Sequence, residues 1–290
     1  MTRRECRWRA SGWPIRVLVL AGALGVSMLA GRTASAQSGN TANQGALKFT
    51  GTLDVPSVYV FRGIVQESDP KLTLQPAADV TGRVKSGDGA FKTIDVSLGV
   101  WNSLQTGSSG SDGPTGRLHY EEDFYTMLKL GLGGGFGVSA EYVAFTSPNL
   151  MKDTVQEFQL AVTRSRTFNP YALFAFELTD QSLDLGEHKG TYGEFGVAPS
   201  WRLGKRLTVT VPAKVGLSLK DYYELNGVDH TFGFFDVGGL ATFPLGLPAG
   251  AGAWNLHGGV DVIAMGDKAK AANDGNGSKV VALIGIGVTY

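Results

Sequence analysis

The sequence predicts an all-β fold: one antiparallel transmembrane β-barrel of about twelve strands, with short turns at one end and longer loops at the other. Three observations predict it. The candidate strands are longer than those of soluble domains, their connections alternate between long and short, and the last strand ends on an aromatic residue.

The chain opens with an export signal. Arg3, Arg4, Arg7, Arg9 and Arg16 precede an apolar run from Val17 to Ala30, and Ala34-Ser35-Ala36 fits a small-x-small cleavage site. The apolar core, about 14 residues, is shorter than the roughly 20 that a spanning helix needs. Arg3-Arg4 is similar to a twin-arginine start, but Glu5 and Cys6 follow where such signals turn apolar, which favours the general secretory route. Residues 1–36 are therefore expected to be cleaved, 37–46 to form a short periplasmic lead, and 47–290 to form the barrel.

Cleavage changes the balance of charge. The full chain of 290 residues carries 26 basic and 26 acidic side chains, and six arginines and one glutamate lie within residues 1–36, so 20 basic against 25 acidic groups remain, a net −5. Nothing in that balance suits a nucleic-acid partner. The single cysteine, Cys6, leaves with the signal, so neither a disulfide nor a lipid anchor at the cleavage point is available.

Beyond residue 46, period-two alternation recurs in place of helical spacing. In 207–220, Leu207, Val209, Val211, Ala213, Val215, Leu217 and Leu219 share one face, opposite Thr208, Thr210, Lys214 and Ser218. Candidate strands fall at 47–63, 72–85, 91–105, 120–133, 136–147, 155–165, 169–181, 191–204, 207–220, 231–245, 255–266 and 279–290. Most exceed ten residues, against about five or six in globular proteins and about 9–11 for a tilted membrane strand.

The gaps alternate in length. Long polar segments such as 106–119 and 267–278 follow the odd strands. Short ones such as Gly134-Gly135 and Lys205-Arg206 follow the even strands, with 246–254 the exception. Outer-membrane barrels pair short periplasmic turns with longer external loops. The terminus Val281–Tyr290 places Ala282, Ile284, Ile286 and Val288 on one face and ends on Tyr290, as closing strands recognised by barrel-assembly machinery do. A closed sheet pairs every backbone group inside lipid, and only one face of each strand must be apolar. Glycines such as Gly99, Gly131, Gly216, Gly285 and Gly287 are expected on the inner face, where they leave room for large neighbours.

Parity places Asp54, Asp79, Arg83, Asp95, Lys129, Glu141, Glu157, Glu177, Glu194, Arg202, Lys214, Asp236 and Asp261 on inner faces. A lysine or arginine facing lipid near the midplane would cost roughly 2–4 kcal/mol. Two readings stay open: charges lining a wet pore for small polar solutes, or a salt-bridged barrel without conductance. Twelve strands fall between barrels filled by side chains and wide porins.

Tyr59-Val60-Phe61-Arg62-Gly63-Ile64 is followed by Leu72-Thr73-Leu74-Gln75-Pro76, then by Gly99-Val100-Trp101-Asn102-Ser103 and Glu121-Glu122-Asp123-Phe124-Tyr125. This order, over residues 47–125, resembles a bacterial family of outer-membrane proteins labelled Gcw_chp and grouped with TorF-like porins. Val58 and Val65 stand where that family shows Asp and Ser. The resemblance implies an exported barrel in the bacterial cell outer membrane, among lipid and lipopolysaccharide, and no established substrate.

Arg62 reads as an interfacial arginine at the outer end of the first strand, beside an aromatic girdle; the alternative is a site for an anionic solute or lipopolysaccharide group. Tyr59, Tyr142, Phe174, Trp201, Phe235 and Phe243 read as girdle residues, with Trp101 facing inward by parity. A Ser-His-Asn hydrolase is the weakest reading, because parity sends Ser103 and His119 to the lumen and Asn102 to lipid. His188, His230 and His257 show no metal-ligand spacing, and Gly131–Gly135 precedes no helix that would make it a phosphate loop. No catalytic, metal or cofactor residue is therefore expected. The leading expectation is a diffusion channel for small polar solutes, and the second a non-conducting barrel with a structural, adhesive or lipid-binding role.

Overall fold

A computed structural model of the chain describes residues 46–290 except 68, 112–114, 116 and 180–187. The predicted signal peptide and nearly all of the predicted lead lie outside the described residues. Long period-two segments become long strands: β1 (Leu47–Pro56), β4 (Thr73–Ser86), β5 (Phe91–Gln105), β6 (His119–Leu132), β7 (Phe136–Thr146), β8 (Val155–Arg164) and β9 (Tyr171–Glu177). They continue as β10 (Thr191–Val197), β11 (Ser200–Leu203), β12 (Leu207–Thr210), β13 (Ala213–Lys220), β16 (Phe232–Leu245), β17 (Ala253–Met265) and β18 (Ser278–Thr289). Two small hairpins, β2 (Val60–Phe61) with β3 (Ile64–Val65) and β14 (Glu224–Leu225) with β15 (Val228–Asp229), pair only internally.

The large strands form one antiparallel sheet that closes on itself: β1 pairs with β18 from Thr50↔Thr289 to Pro56↔Leu283. Twelve staves result, because β10 with β11 is one stave and β12 with β13 is another. Each is interrupted beside a proline, Pro199 and Pro212, which has no N–H to give the ladder. The breaks lie side by side, and the Val211 N–H donates to the Pro199 carbonyl across them at 3.0 Å. First-to-last pairing through β1 and β18 closes the sheet into a barrel.

Burial is inverted relative to a soluble domain. Leu53, Leu98, Phe124, Leu160, Phe235, Val260 and Ile284 are exposed on the outside, while Asp54, Glu141, Glu157 and Glu194 are buried within. A contiguous apolar belt of this kind is far larger than monomers expose to water and suits a hydrocarbon surround. Inner glycines make room for rings: a Cβ on Gly99 would stand 2.2 Å from the Tyr125 ring, and one on Gly216 2.2 Å from the Phe234 ring.

The first predicted strand is corrected. It leaves the barrel wall at Pro56, and the residues after it turn inward from the loop end instead of continuing along the wall. Two observations explain this. Val58, Tyr59, Phe61 and Ile64 are only 2–4% exposed, and Phe61-Arg62-Gly63-Ile64 makes a two-residue turn with φ of 43° at Arg62 and 81° at Gly63. Positive φ at both central positions is what a tight I′ hairpin requires.

Candidate functional site

The inward hairpin plugs the loop half of the lumen. Alternation along an extended segment sends successive side chains to opposite sides, and here each side meets its own core. Tyr59 and Phe61 pack with Trp101, Tyr120, Val143, Phe145 and Val155. Val58 and Ile64 pack with Tyr192, Tyr222, Tyr223, Phe234 and Ile263. Tyr59 and Trp101 tilt against each other with ring centroids 5.4 Å apart.

Arg62 sits at the tip. Its Nη1 donates to Glu157 Oε1 at 2.7 Å and to the Tyr222 hydroxyl at 2.7 Å, and its Nη2 donates to Glu157 Oε2 at 2.9 Å. The guanidinium also lies 4.1 Å from the Tyr192 ring centroid and 4.6 Å from that of Phe61, within cation–π range. Gln159 Nε2 donates to the same Glu157 at 2.9 Å. Burial by itself disfavours the charge on Arg62, but the Glu157 carboxylate beside it outweighs that and holds its pKa well above the usual arginine value. A non-glycine residue at positive φ stores about 1–3 kcal/mol of strain; the surrounding hydrogen bonds and rings hold Arg62 in that conformation.

The expectation of an interfacial Arg62 is thus overturned, as is a girdle role for Tyr59: both lie inside, because the chain turns in at Pro56. Trp101 faces inward and is 1% exposed. Tyr142, Trp201, Phe235 and Phe243 are exposed on the outside.

Backbone partners hold the rest of the plug. The Tyr223 hydroxyl donates to the Arg62 carbonyl at 3.0 Å, and Asn273 Nδ2 donates to the Gly63 carbonyl at 2.8 Å. Asn273 Oδ1 accepts from the Val65 N–H at 2.8 Å. Farther along, Glu67 accepts from the Ser108 hydroxyl and from both the backbone and the hydroxyl of Ser109. The Tyr59 hydroxyl donates to Glu121 Oε2 at 3.0 Å. Asp123, in register with Trp101, is fully buried, and neither of its carboxylate oxygens has a hydrogen-bond partner.

Residues from the sequence stretches 59–64, 99–103 and 121–125 therefore converge. Tyr59, Phe61, Arg62 and Gly63 form the plug; Trp101, Ser103, Glu121 and Asp123 form part of its seat; Gly99 lies one step below, under Tyr125. Sequence reasoning placed Glu157 on an inner face but missed its pairing with Arg62, and it missed Tyr222, Tyr223 and Asn273 altogether. The aromatic doublet Tyr222-Tyr223 inside a polar loop was the available signal.

The other inner-face candidates occupy different levels, and paired residues share a face. Arg83, Asp95 and Lys129 are successive register partners near the turn end, and Arg83 holds Asp95 through two hydrogen bonds of 2.7 and 3.0 Å. Arg202 is exposed at that end, in register with Thr208. Asp79 pairs with Gly99, Glu141 with Met127 and Gln159, and Glu177 with Glu157. Glu194, Lys214, Asp236 and Asp261 meet below the plug around a cavity of about 100 Å³.

Ser103 and His119 do not meet. An extra residue in β6 opposite Ser103/Leu104 puts Tyr120 inside and turns His119 outward, where its Nε2 lies 2.8 Å from Asn102 Oδ1. Ser103 stays buried in the lumen, accepting from Gln105 Nε2. The expected inward His119 is corrected by that bulge, and the hydrolase constellation is not assembled.

The fold and site together define a closed twelve-stranded antiparallel barrel with an inward-folded plug. No protein-family model and no curated protein matches the sequence. Among solved structures it is similar to the NanC porin, at 10% identity over 84% of this chain and 99% of that one, TM-score 0.45. It is also similar to outer membrane phospholipase A from Escherichia coli, at 11% identity over 82% and 92%, TM-score 0.47. A third is the translocator domain of the autotransporter NalP from Neisseria meningitidis, at 15% identity over 90% and 95%, TM-score 0.42. Barrel shape alone assigns no activity.

Proposed function

We propose that the chain is an outer-membrane barrel that passes small polar solutes only when its own first loop leaves the lumen: a gated, porin-like channel, closed in the state described here. The apolar outer belt and the secretory-type N-terminus support the location. Lipid and lipopolysaccharide are then its surroundings, and the C-terminal strand its handle for barrel-assembly machinery.

One observation carries the gating. Beside its aromatic seat the plug covers a group of buried acids: Glu157, which Arg62 pairs, Glu121, which Lys152 pairs at 2.9 Å, and Asp123, neither of whose carboxylate oxygens is hydrogen-bonded. Crowding carboxyl groups together out of water is costly, a cost that water entering an open lumen would relieve. A permanent plug has no use for such a group, whereas a movable one leaves a hydrophilic path when it withdraws.

Planar-bilayer recording tests this. The wild-type protein is expected to stay closed for most of the trace, and a variant with residues 58–70 replaced by a short Gly-Ser linker to conduct in steps. Equal conductance of the two would sink the gate. Silence of both would favour the non-conducting structural barrel.

A further inference from the structure

We infer that the cavity beneath the plug is a binding site for a small organic ammonium ion, one carrying a short apolar body. Charge, unmet hydrogen bonding and shape each point there.

The charges do not balance. Four carboxylates line the cavity; Asp54 is met by His257 Nε2 at 2.7 Å, while Lys214 Nζ, 3.6 Å from Glu194 and 4.0 Å from Asp236, is one ammonium left for Glu194, Asp236 and Asp261. Glu194 is already served by the hydroxyls of Tyr171 at 2.6 Å and Tyr192 at 2.7 Å. The remaining demand therefore falls on the two aspartates. Arg62, the other cation on the cavity wall, is engaged by Glu157.

Two buried groups at the cavity lack partners. Asp236 Oδ1 accepts no hydrogen bond although Asp236 is only 6% exposed. Gln75, also 6% exposed and on a different stave, has an unpartnered Nε2. Buried polar atoms are almost always hydrogen-bonded, so two such atoms around one space mark a place for a polar ligand. An ammonium N–H would satisfy Asp236, and a hydroxyl or carbonyl on the ligand would satisfy Gln75.

Phe234, Ile263, Val281 and Leu283 supply apolar wall beside the acids. That favours an alkylammonium over a bare metal ion, and among the described residues no group of three or more His, Cys, Asp or Glu could hold a metal. The cavity of about 100 Å³ has room for a few waters or a small organic ligand. Val58, Phe61 and Gly63 of the plug contribute to the wall, so the site exists only while the plug is in place. The inference rests on the plugged state but not on whether the plug opens.

Isothermal titration of the detergent-solubilised barrel with n-propylammonium chloride, sodium propionate and 1-propanol, at fixed ionic strength, tests it. The ammonium is expected to bind saturably and the acid and alcohol not to bind. Asp236→Asn is expected to weaken binding at least tenfold, with Asp261→Asn as the second variant should the first misfold. Three equal titrations, no saturable heat from the ammonium, or equal displacement by KCl would overturn the site. The gate is read by conductance, so a conducting linker variant beside a silent titration sinks the site alone, and a saturable titration with no conductance sinks the gate alone.

Discussion

Arg62 and Glu157, ninety-five residues apart in sequence, close two hydrogen bonds on each other inside the barrel, at 2.7 and 2.9 Å. Each side chain is almost wholly out of solvent, 6% exposed for Arg62 and 0% for Glu157. In such a setting the pair is worth less as net stability than as a lock. Desolvating two ions offsets most of their attraction, but removing one partner strands the other.

Glu157→Ala is expected to destabilise the seated plug by about 3–5 kcal/mol, since it leaves a buried guanidinium uncompensated. Because the only cysteine of the chain is Cys6, Val60→Cys introduces a single thiol into the barrel. Maleimide labelling at that position should be slow in the Val60→Cys protein and fast once Glu157→Ala is added. Equal rates would mean that the pair does not hold the plug.

The double variant Arg62→Met/Glu157→Leu separates the lock from the packing. Replacing a buried ion pair by apolar side chains of similar size is often neutral or stabilising, by about 1–4 kcal/mol. The Val60→Cys thiol should therefore stay protected in the double variant. Fast labelling there would show that the charges themselves, and not the filled space, keep the plug seated.

Gly63→Ala tests the turn. Its φ is +81°, and an added Cβ would stand 2.9 Å from Phe234 Cβ. Left-handed strain and the contact together should cost the plug roughly 1–3 kcal/mol. The expected readout is faster labelling of Val60→Cys with little change in the urea midpoint of the whole barrel.

Asp123→Asn should favour the closed state. It removes an acid crowded against Glu121 in the dry seat, and we expect closing to gain from relief of that crowding. In single-channel traces of Glu157→Ala, adding Asp123→Asn should lower the open fraction. An unchanged or higher open fraction would count against the buried acids as the reason the plug moves.

Ile284→Arg probes the outer face. Ile284 is 64% exposed near the middle of β18, whereas Leu47, 63% exposed, begins β1 at the barrel end. Arginine at the midplane should cost about 2–4 kcal/mol, and near the interface about 0–1. Refolding into phospholipid vesicles under urea should show that difference between Ile284→Arg and Leu47→Arg. Equal costs would argue that this belt does not face hydrocarbon.

The barrel itself was legible in the sequence because its information is local. Alternation along 207–220 or 91–105 sets which side chains face in, turn chemistry at Gly134-Gly135 and Lys205-Arg206 sets where the chain reverses, and both act within a few residues. Parity likewise carried Asp236, Lys214 and Glu194 inward without reference to any neighbour. It failed at His119, where a single extra residue in β6 shifted the count and turned the side chain outward.

Only the tertiary structure decided the plug and the cavity beneath it. Tyr59-Val60-Phe61 alternates like the strand before it, and nothing nearby says that the wall ends at Pro56. What draws those residues inward is a seat built from distant staves: Trp101, Glu121, Glu157 and Tyr192, with Tyr222 and Asn273 from the loops. Those contacts span tens to hundreds of residues, and burying the aromatic side chains of the plug against them outweighs continuing the sheet. Local periodicity therefore determined the container, and long-range packing and charge pairing determined what fills it.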